Sequence, residues 1–295
     1  MPAGVGVLRC TLVAAAFVIA AMIWLTAAAQ PARADTIDLL AQRKIIYLGV
    51  RADQPPFSSI GQDGVPTGYF VSLCGEIVQA LRDSQNMPDL GIKYVTVSAE
   101  SRFDDLTAGR IDLLCEGTTI TTQRMQKYEF TLETWISGVG LMTRSDLNIG
   151  NIKDLEGRRV GVVGSTATEG LVRATLQRLL IGADIITFAN HNTATRALLD
   201  KKIDAYFGDR DTLAVMRRQS QDPGQLKITE ESLSLEPYAM AIRRGDDRLR
   251  LVANLTLARL YRTGKVQEIL NTYFPGAEIS PLLKAMYILQ SIPEL

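Results

Sequence analysis

The strongest constraint on the fold is an alternation of strand and helix patterns that begins twice along the chain, the second time after residue 140. Runs of branched and aromatic residues predict strands at 44–50, 92–97, 111–114, 159–163, 185–188 and 204–208. Amphipathic periodicity predicts helices at 71–83, 103–106, 168–180, 249–263, 266–274 and 281–290. Such alternation is typical of an α/β protein with open, mostly parallel sheets and crossover helices, and its restart indicates two lobes.

A weak internal repeat relates the two series. Residues 106–113 and 198–205 share three identities at a constant offset of 92, and each segment is typical of a helix end, a tight turn and a strand. Chance similarity between two common helix–turn–strand units is the alternative. If the repeat is structural, Gly117 and Asp209 occupy matching sites just past a strand in each lobe. Ligands of open α/β sheets bind at that end of the strands.

The first 34 residues are typical of a secretory signal peptide. Arg9 is the only charged side chain before an uncharged run at 11–29, and Ala32 and Ala34 form an A-x-A cleavage site. An uncleaved membrane anchor is the alternative, because about twenty apolar residues can span a bilayer. Cleavage would release the mature protein into the periplasm.

Composition excludes several classes of function. The chain has 32 basic and 32 acidic residues and no long basic run, which argues against nucleic acid as a partner. Its single histidine and three cysteines argue against a metal site, and the single histidine also argues against a histidine-based catalytic triad. No metal or cofactor is therefore predicted.

Export also changes the interpretation of the cysteines. Removal of the signal peptide takes away Cys10 and leaves Cys74 and Cys115 in an oxidising compartment, where a disulfide between them can persist. Two buried free thiols remain the alternative.

A candidate anion site follows the strand predicted at 159–163. Thr166 and Thr168 lie in a Gly/Ser/Thr turn that opens a helix, and the N–H groups of a first helical turn suit a carboxylate. The alternative is that Thr166 and Glu169 form a capping box that only stabilises the helix end.

Three arginines follow successive predicted strands of the first lobe: Arg51, Arg102 and Arg124. Guanidinium groups bind carboxylates through two hydrogen bonds, so this pattern predicts a carboxylate ligand, although a single such arginine is more often a solvated charge. Asp209 would complement an ammonium group, or else act as a helix N-cap. His191 also follows a strand, where a structural role is the alternative to a ligand contact.

Several short motifs occur in a fixed order along residues 37–274. They are GVR at 49–51, PF at 56–57, GY at 68–69, DLLCEGTT at 112–119 leading to Arg124, DLEGRRV at 154–160 and EPYAM at 236–240. In this order and spacing they resemble the periplasmic polar-amino-acid-binding proteins of ABC importers, the bacterial extracellular solute-binding protein family 3. They resemble in particular the glutamate/aspartate-binding members, which implies glutamate or aspartate as the ligand.

The resemblance implies a type II periplasmic-binding-protein fold, in which two open α/β sheets are joined by two hinge strands. Lobe 1 would comprise residues 35–140 and 240–295, and lobe 2 residues 141–239. The lobes would close on an amino acid, and the loaded monomer would dock on a membrane permease without any enzymatic step.

The resemblance also assigns roles within the site. Arg124 matches the partner of the ligand α-carboxylate, Gly117 and Thr119 its neighbours, and Asp209 the partner of the ammonium group. Arg51, Arg102 and His191 match positions that hold the side-chain carboxylate of glutamate or aspartate. Thr166 and Thr168 complete the set from the second lobe.

An enzyme on the same scaffold is the main alternative. A cyclohexadienyl dehydratase also resembles these receptors and would use a pocket carboxylate as general acid, for which Glu169 is the nearest candidate in this sequence.

Overall fold

Two open β-sheets organise the computed structural model, which describes residues 35–293; the predicted signal peptide at 1–34 lies outside the described residues. The strands are β1 (Ile45–Arg51), β2 (Asp53–Gln54), β3 (Ser58–Ile60), β4 (Pro66–Thr67), β5 (Gly91–Val97), β6 (Leu113–Thr119), β7 (Tyr128–Phe130), β8 (Trp135–Ser137), β9 (Val139–Arg144), β10 (Arg159–Val163), β11 (Asp184–Phe188), β12 (Ala205–Asp209), β13 (Leu226–Ser232) and β14 (Glu236–Arg243).

The two sheets have the same spatial arrangement of parallel and antiparallel strands. The first has the strand order β5-β1-β6-β14-β7, with β8 also paired to β14, and the second has the order β11-β10-β12-β9-β13. In each sheet three strands run parallel, and the next strand is antiparallel to them. The α/β fold class with two open sheets, predicted from the restarting alternation, is confirmed.

Helices cover the sheets and provide the crossovers. They are α1 (Thr36–Arg43), α2 (Tyr69–Ser84), α3 (Arg102–Ala108), α4 (Thr122–Met125), α5 (Ala167–Arg178), α6 (His191–Leu199), α7 (Arg210–Gln219), α8 (Asp247–Thr263), α9 (Lys265–Tyr273) and α10 (Pro281–Gln290), with 3-10 turns at Ile152–Leu155 and Pro223–Gln225. None of the helices within residues 35–293 combines the length and apolar character needed to cross a membrane.

A third, smaller sheet follows β1. The Pro/Gly-rich stretch there contains three short strands, β2, β3 and β4. Phe57 is fully buried in the core of the first lobe and draws the segment onto the protein, where its backbone groups pair with each other.

Helix α2 shows why the first lobe folds as it does. Its buried residues Leu73, Ile77 and Leu81 recur at helical spacing, and full burial of each such side chain contributes about 1.5–3 kcal/mol. The same face carries Cys74, which forms a disulfide with Cys115 of β6. The predicted disulfide is therefore present, and it joins the helix to the strand that leads into the site.

The internal repeat corresponds to a structural equivalence. Strands β6 and β12 begin at residues 113 and 205, at the offset of 92 seen in the sequence. Asp112 and Asp204 precede them, and each carboxylate accepts the N–H of a residue in the neighbouring parallel strand: Tyr47 of β1 at 2.8 Å and Arg159 of β10 at 3.0 Å. The carboxyl ends of β6 and β12 are consequently equivalent places in the two lobes.

The chain crosses between the sheets twice. Strand β8 belongs to the first sheet and β9 to the second, so one crossing falls at Gly138; the other joins β13 to β14 at residues 233–235. A side chain at Gly138 would lie only 2.5 Å from the carbonyl oxygen of Ser234, so the two crossings pass in close contact. The lobe boundaries expected at 140/141 and 239/240 lie near these crossings and remain predictions.

Candidate ligand-binding cleft

A narrow cavity of about 30 Å³ lies between the two sheets. It is lined by Arg51, Gln54, Arg102, Glu116, Gly117, Thr118, Thr119, Arg124, Val163, Thr166, Ala167, Thr168, His191, Phe207, Gly208 and Asp209. All nine residues predicted to contact a ligand are in this set. Strand ends bring them together: Arg51 and Asp209 are the last residues of β1 and β12, and Thr119 is the last of β6.

Arg124 is a cation without a carboxylate partner among the described residues. Its Nη1 donates to the carbonyl oxygen of Thr119 at 2.8 Å, and its backbone N–H donates to the Thr121 hydroxyl at the start of α4. Burial lowers the pKa of the guanidinium, because the charged form has lost its hydration. An arginine in this state has donors left for an anion.

Asp209 is the complementary anion. It is buried and receives hydrogen bonds from Gln54 Nε2 at 3.4 Å and from the Tyr238 hydroxyl, but no cation pairs with it among the described residues. Burial raises the pKa of its carboxyl group to about 7, with a smaller contribution in the same direction from Glu236. Its side chain makes no N-cap hydrogen bond to α7, so the capping alternative is not supported.

Arg51 is already neutralised by the chain itself. Its Nε and Nη2 donate to the two carboxylate oxygens of Asp53, at 2.9 and 3.0 Å, and its Nη1 lies 3.4 Å from Glu116 Oε2. The side chain is only 3% exposed. Most of its hydrogen-bonding capacity is thus used within the protein.

Arg102 is paired less completely. Its Nε lies 2.8 Å from Glu116 Oε1, without the direction of a hydrogen bond, and its Nη2 donates to the carbonyl oxygen of Ser165 in the second lobe at 3.0 Å. Its Nη1 is buried and has no hydrogen-bond partner. Burial lowers the pKa of this guanidinium to about 10, so it remains a cation at neutral pH.

His191 begins helix α6 and contributes through its backbone. Its N–H donates to Asp53 Oδ2 across the cleft at 2.9 Å, and its ring Nδ1 lies within hydrogen-bond distance of the Tyr206 hydroxyl. Burial lowers the pKa of the imidazole to about 4. The ring is therefore neutral at physiological pH and adds no positive charge to the site.

Helix α5 supports the capping interpretation of its first turn. The Thr166 hydroxyl accepts the N–H of Glu169 at 3.1 Å, while the Glu169 carboxylate accepts the N–H of Ser165 at 3.0 Å and pairs with Arg173. Thr166 and Thr168 still line the cavity. Glu169, the candidate general acid of the enzyme alternative, does not line it and has a structural role.

On the first-lobe side, Gly117 and Thr119 are also engaged. Gln54 exchanges two hydrogen bonds with the backbone of Gly117, both at 3.1 Å, and the Thr119 hydroxyl donates to Glu236 at 2.8 Å. A side chain at Gly117 would come within 2.8 Å of the Tyr238 ring, so the close packing here requires glycine.

The sequence interpretation missed three residues: Asp53, Gln54 and Glu116. Asp53 stands only two residues after Arg51, with which it pairs, and Glu116 directly precedes the predicted Gly117. Their positions next to predicted site residues could have identified Asp53 and Glu116 as members of the site. Within residues 35–293 no group of three or more His, Cys, Asp or Glu side chains is placed to hold a metal ion.

Two lobes, two crossings and a polar cavity at the strand ends define a periplasmic-binding-protein fold of type II. The model of the bacterial extracellular solute-binding proteins, family 3, matches residues 46–276, and the chain belongs to this family. It is accordingly a solute-binding protein and not an enzyme.

Individual relatives are distant but cover most of the chain. The glutamate/aspartate import solute-binding protein of Salmonella typhimurium is 26% identical over 267 residues, which span 87% of this chain and 88% of that protein. The L-cystine-binding protein TcyJ of Escherichia coli is 28% identical over 83% of this chain and 87% of its own. A crystal structure of a mutant of ArgBP from T. maritima superposes with a TM-score of 0.73 at 25% identity, covering 81% of this chain and 98% of that chain.

Proposed function

We propose that the mature protein binds an α-amino acid of the size of glutamate or aspartate, either the acid or its amide, and delivers it to the permease of an ABC importer. The observation that carries this proposal is the pair of unmatched charges in one cavity. Arg124 lacks an anion, and Asp209 lacks a cation among the described residues. A zwitterion supplies both.

In the proposed complex, the guanidinium of Arg124 holds the ligand α-carboxylate, and Asp209 holds the ammonium group with help from the carbonyl oxygen of Gly117. Charge-assisted hydrogen bonds of this kind contribute about 1.5–3 kcal/mol each. Thr168 provides a further hydroxyl contact to the carboxylate. Thr119 and Thr166 provide backbone contacts, because their hydroxyls already donate to Glu236 and to the Val163 carbonyl oxygen. The ammonium group would lower the pKa of Asp209, because it stabilises the ionised carboxylate.

The ligand side chain would then point toward Arg51, Arg102 and His191. The names of relatives support a ligand of this length, since the Salmonella typhimurium and Pseudomonas aeruginosa proteins are named for glutamate and aspartate. Both proteins are only 26% identical to this chain. Whether the ligand side chain is an acid or an amide therefore depends on the residues present in this cavity.

Hinge closure would provide the mechanism. Several hydrogen bonds connect the lobes. Among those at the cavity are His191 N–H to Asp53, Gln54 to Asp209, and Arg102 to the Ser165 carbonyl oxygen. The crossings at Gly138 and 233–235 are the points about which the lobes would separate to admit the ligand. Ligand contacts from both lobes would favour the closed state over the open one.

Export supports the assignment to the periplasm. The segment at 1–34 would direct secretion and be cleaved, and the mature protein would act as a monomer beside the membrane. Its partners would be the amino acid and the permease, with no nucleic acid, metal or cofactor involved.

Calorimetric titration of the mature protein tests the proposal. The panel contains the twenty amino acids, simple dicarboxylates and prephenate. One or a few amino acids of four- or five-carbon length should bind one to one, and Arg124→Ala should weaken that binding about 100-fold.

Glu100→Gln is the matched control for such variants, because Glu100 is exposed and does not line the cavity. It should bind like the wild type. Absence of binding to every amino acid, or turnover of prephenate, would refute the proposed function.

A further inference from the structure

A carboxylate of the protein, Asp53, lies behind the side-chain end of the cavity and contacts two residues that line it. Asp53 forms a two-point ion pair with Arg51 and accepts the N–H of His191 at the start of α6, so it contacts two of the three residues expected to hold a ligand carboxylate. Burial by itself would raise the pKa of Asp53, but Arg51 and His191 bring it below its usual value. This carboxylate is ionised at neutral pH.

Glu116 is the protein carboxylate that pairs with Arg102, the third residue expected to hold a ligand carboxylate. Its Oε1 lies 2.8 Å from Arg102 Nε, its Oε2 lies 3.4 Å from Arg51 Nη1, and its side chain is only 2% exposed. It also accepts a hydrogen bond from the Thr118 hydroxyl at 2.9 Å. Glu116 therefore lies between the two arginines and shares its charge with both.

The charges at this end of the cavity cancel. Arg51 and Arg102 are two cations, Asp53 and Glu116 are two anions, and the imidazole of His191 is neutral. Glu236, close to the other end, adds a further negative charge behind Thr119. A second ligand carboxylate would consequently be buried without a net positive charge to balance it, which is unfavourable.

Two donors of Arg102, Nε and Nη1, are nevertheless buried without a hydrogen bond. Nε lies 2.8 Å from Glu116 Oε1, whereas Nη1 has no partner among the described residues. A buried donor of this kind costs free energy until an acceptor reaches it. An uncharged acceptor, such as the carbonyl oxygen of an amide, satisfies this donor without adding charge.

We propose that Asp53 and Glu116 determine specificity by supplying the carboxylates that an acidic ligand would otherwise bring, so that the site selects an amino acid with an uncharged, acceptor-bearing side chain, glutamine or asparagine, over glutamate or aspartate. This inference rests on the proposed function. In the complex, the side-chain carbonyl oxygen accepts from Arg102 Nη1, and the amide N–H groups lie near the Glu116 carboxylate.

Matched ligand pairs provide the test, because glutamine and glutamate, like asparagine and aspartate, have nearly the same shape and differ by one charge. In calorimetric titrations at pH 7.5 the wild type should bind an amide at least about tenfold more tightly than the corresponding acid. Glu116→Gln and Asp53→Asn should each shift the acid-to-amide affinity ratio toward the acid by about tenfold or more.

Two variants are used because Asp53→Asn alters a contact between the lobes, whereas Glu116→Gln alters only residues of the first lobe. Circular dichroism and thermal unfolding verify that each is folded, and Glu100→Gln should leave the ratio unchanged. Tighter binding of glutamate or aspartate than of its amide by the wild type would overturn the inference and leave the proposed function intact. Failure to bind any amino acid would overturn both.

Discussion

The carboxylate of Asp53 accepts two hydrogen bonds from the guanidinium of Arg51, from Nε at 2.9 Å and from Nη2 at 3.0 Å, and a third from the backbone of His191 in the other lobe. Asp53 is thus both the counter-ion of a buried arginine and a contact between the lobes. Its removal should affect stability as well as specificity.

Replacing Asp53 with alanine should lower the free energy of unfolding by about 2–4 kcal/mol, because the buried Arg51 would retain only its weaker contact with Glu116. Urea unfolding of the ligand-free protein measures this change. Asp38→Ala is the control: Asp38 pairs with Arg248 at the surface, where both side chains are more than half exposed, and its loss should cost less than about 0.5 kcal/mol. Equal effects of the two substitutions would contradict the argument.

Ligand binding should weaken as the pH falls below 7. The pKa of Asp209 is about 7 in the free protein, so at lower pH the ligand ammonium group meets a protonated carboxyl group that must first lose its proton. Affinity should drop about tenfold per pH unit in this range. The charged and titratable groups that interact with Asp209 are Glu236, Asp211, Arg124, Tyr206 and Tyr238, and Gln54 also donates a hydrogen bond to it. Glu236→Gln would lower the pH at which the decline begins.

Calorimetry at pH 5, 6, 7 and 8 measures this dependence for the wild type and for Asp209→Asn. The variant should bind weakly and show little change over the same range. A wild type with the same affinity at pH 5 and pH 8 would show that Asp209 does not bind the ammonium group.

Asp209→Asn should also stabilise the ligand-free protein. Because the folded-state pKa of Asp209 is raised to about 7, the folded state holds a proton that the unfolded chain has released, and stability falls as the pH rises from about 4 to 7. Above pH 7 a buried, unpaired carboxylate remains. Asp209→Asn avoids this charge and should raise the free energy of unfolding by about 1–3 kcal/mol at pH 8.

Urea unfolding at pH 5 and pH 8 provides the comparison, and the advantage of the variant should be smaller at pH 5. Asp204→Asn is an informative contrast. Arg159 holds the pKa of Asp204 below its usual value, so that substitution should destabilise the protein at neutral pH. An unchanged stability of Asp209→Asn at pH 8 would argue against an unpaired carboxylate.

Gly138→Ala should destabilise the protein at the first crossing by about 2 kcal/mol. The added Cβ would lie 2.5 Å from the Ser234 carbonyl oxygen, which belongs to the backbone of the second crossing and cannot move aside alone. Gly170→Ala in α5 is the matched control, because its Cβ would meet nothing within 4 Å, and it should stabilise the helix by about 0.5–1 kcal/mol. Urea unfolding of both variants distinguishes them.

The disulfide between Cys74 and Cys115 should contribute about 4 kcal/mol to stability in the loop-closure model, since it joins residues separated by 41 positions. The unreduced, denatured mature protein should show no reactive thiol. The variant with Cys74→Ala and Cys115→Ala should unfold at a lower urea concentration than the oxidised wild type. Two titratable thiols in the unreduced protein would rule the disulfide out.

Local patterns were sufficient to predict the three parallel strands of each sheet and six of the helices in the described part of the chain. The periodicity of α2 and the branched residues of β1 and β10 specify a helix and strands whose neighbours along the chain are also their neighbours in space. The internal repeat added the equivalence of the β6 and β12 ends, and so placed Gly117 and Asp209 in one cavity. Strand ends in a parallel sheet are a position that sequence order by itself reveals.

The charges in the cavity depended on the tertiary structure. Arg51 and Glu116 are 65 residues apart along the chain, and Asp53 and His191 are 138 residues apart. Only the pairing of β1 with β6 brings the first pair together, and only the closure of the lobes brings the second pair together. Burial then removes the charge of His191. The sequence by itself determined which residues follow the strand ends that line the cavity. The tertiary structure decided which of them keep a free charge, because pairing and desolvation depend on distances across the fold.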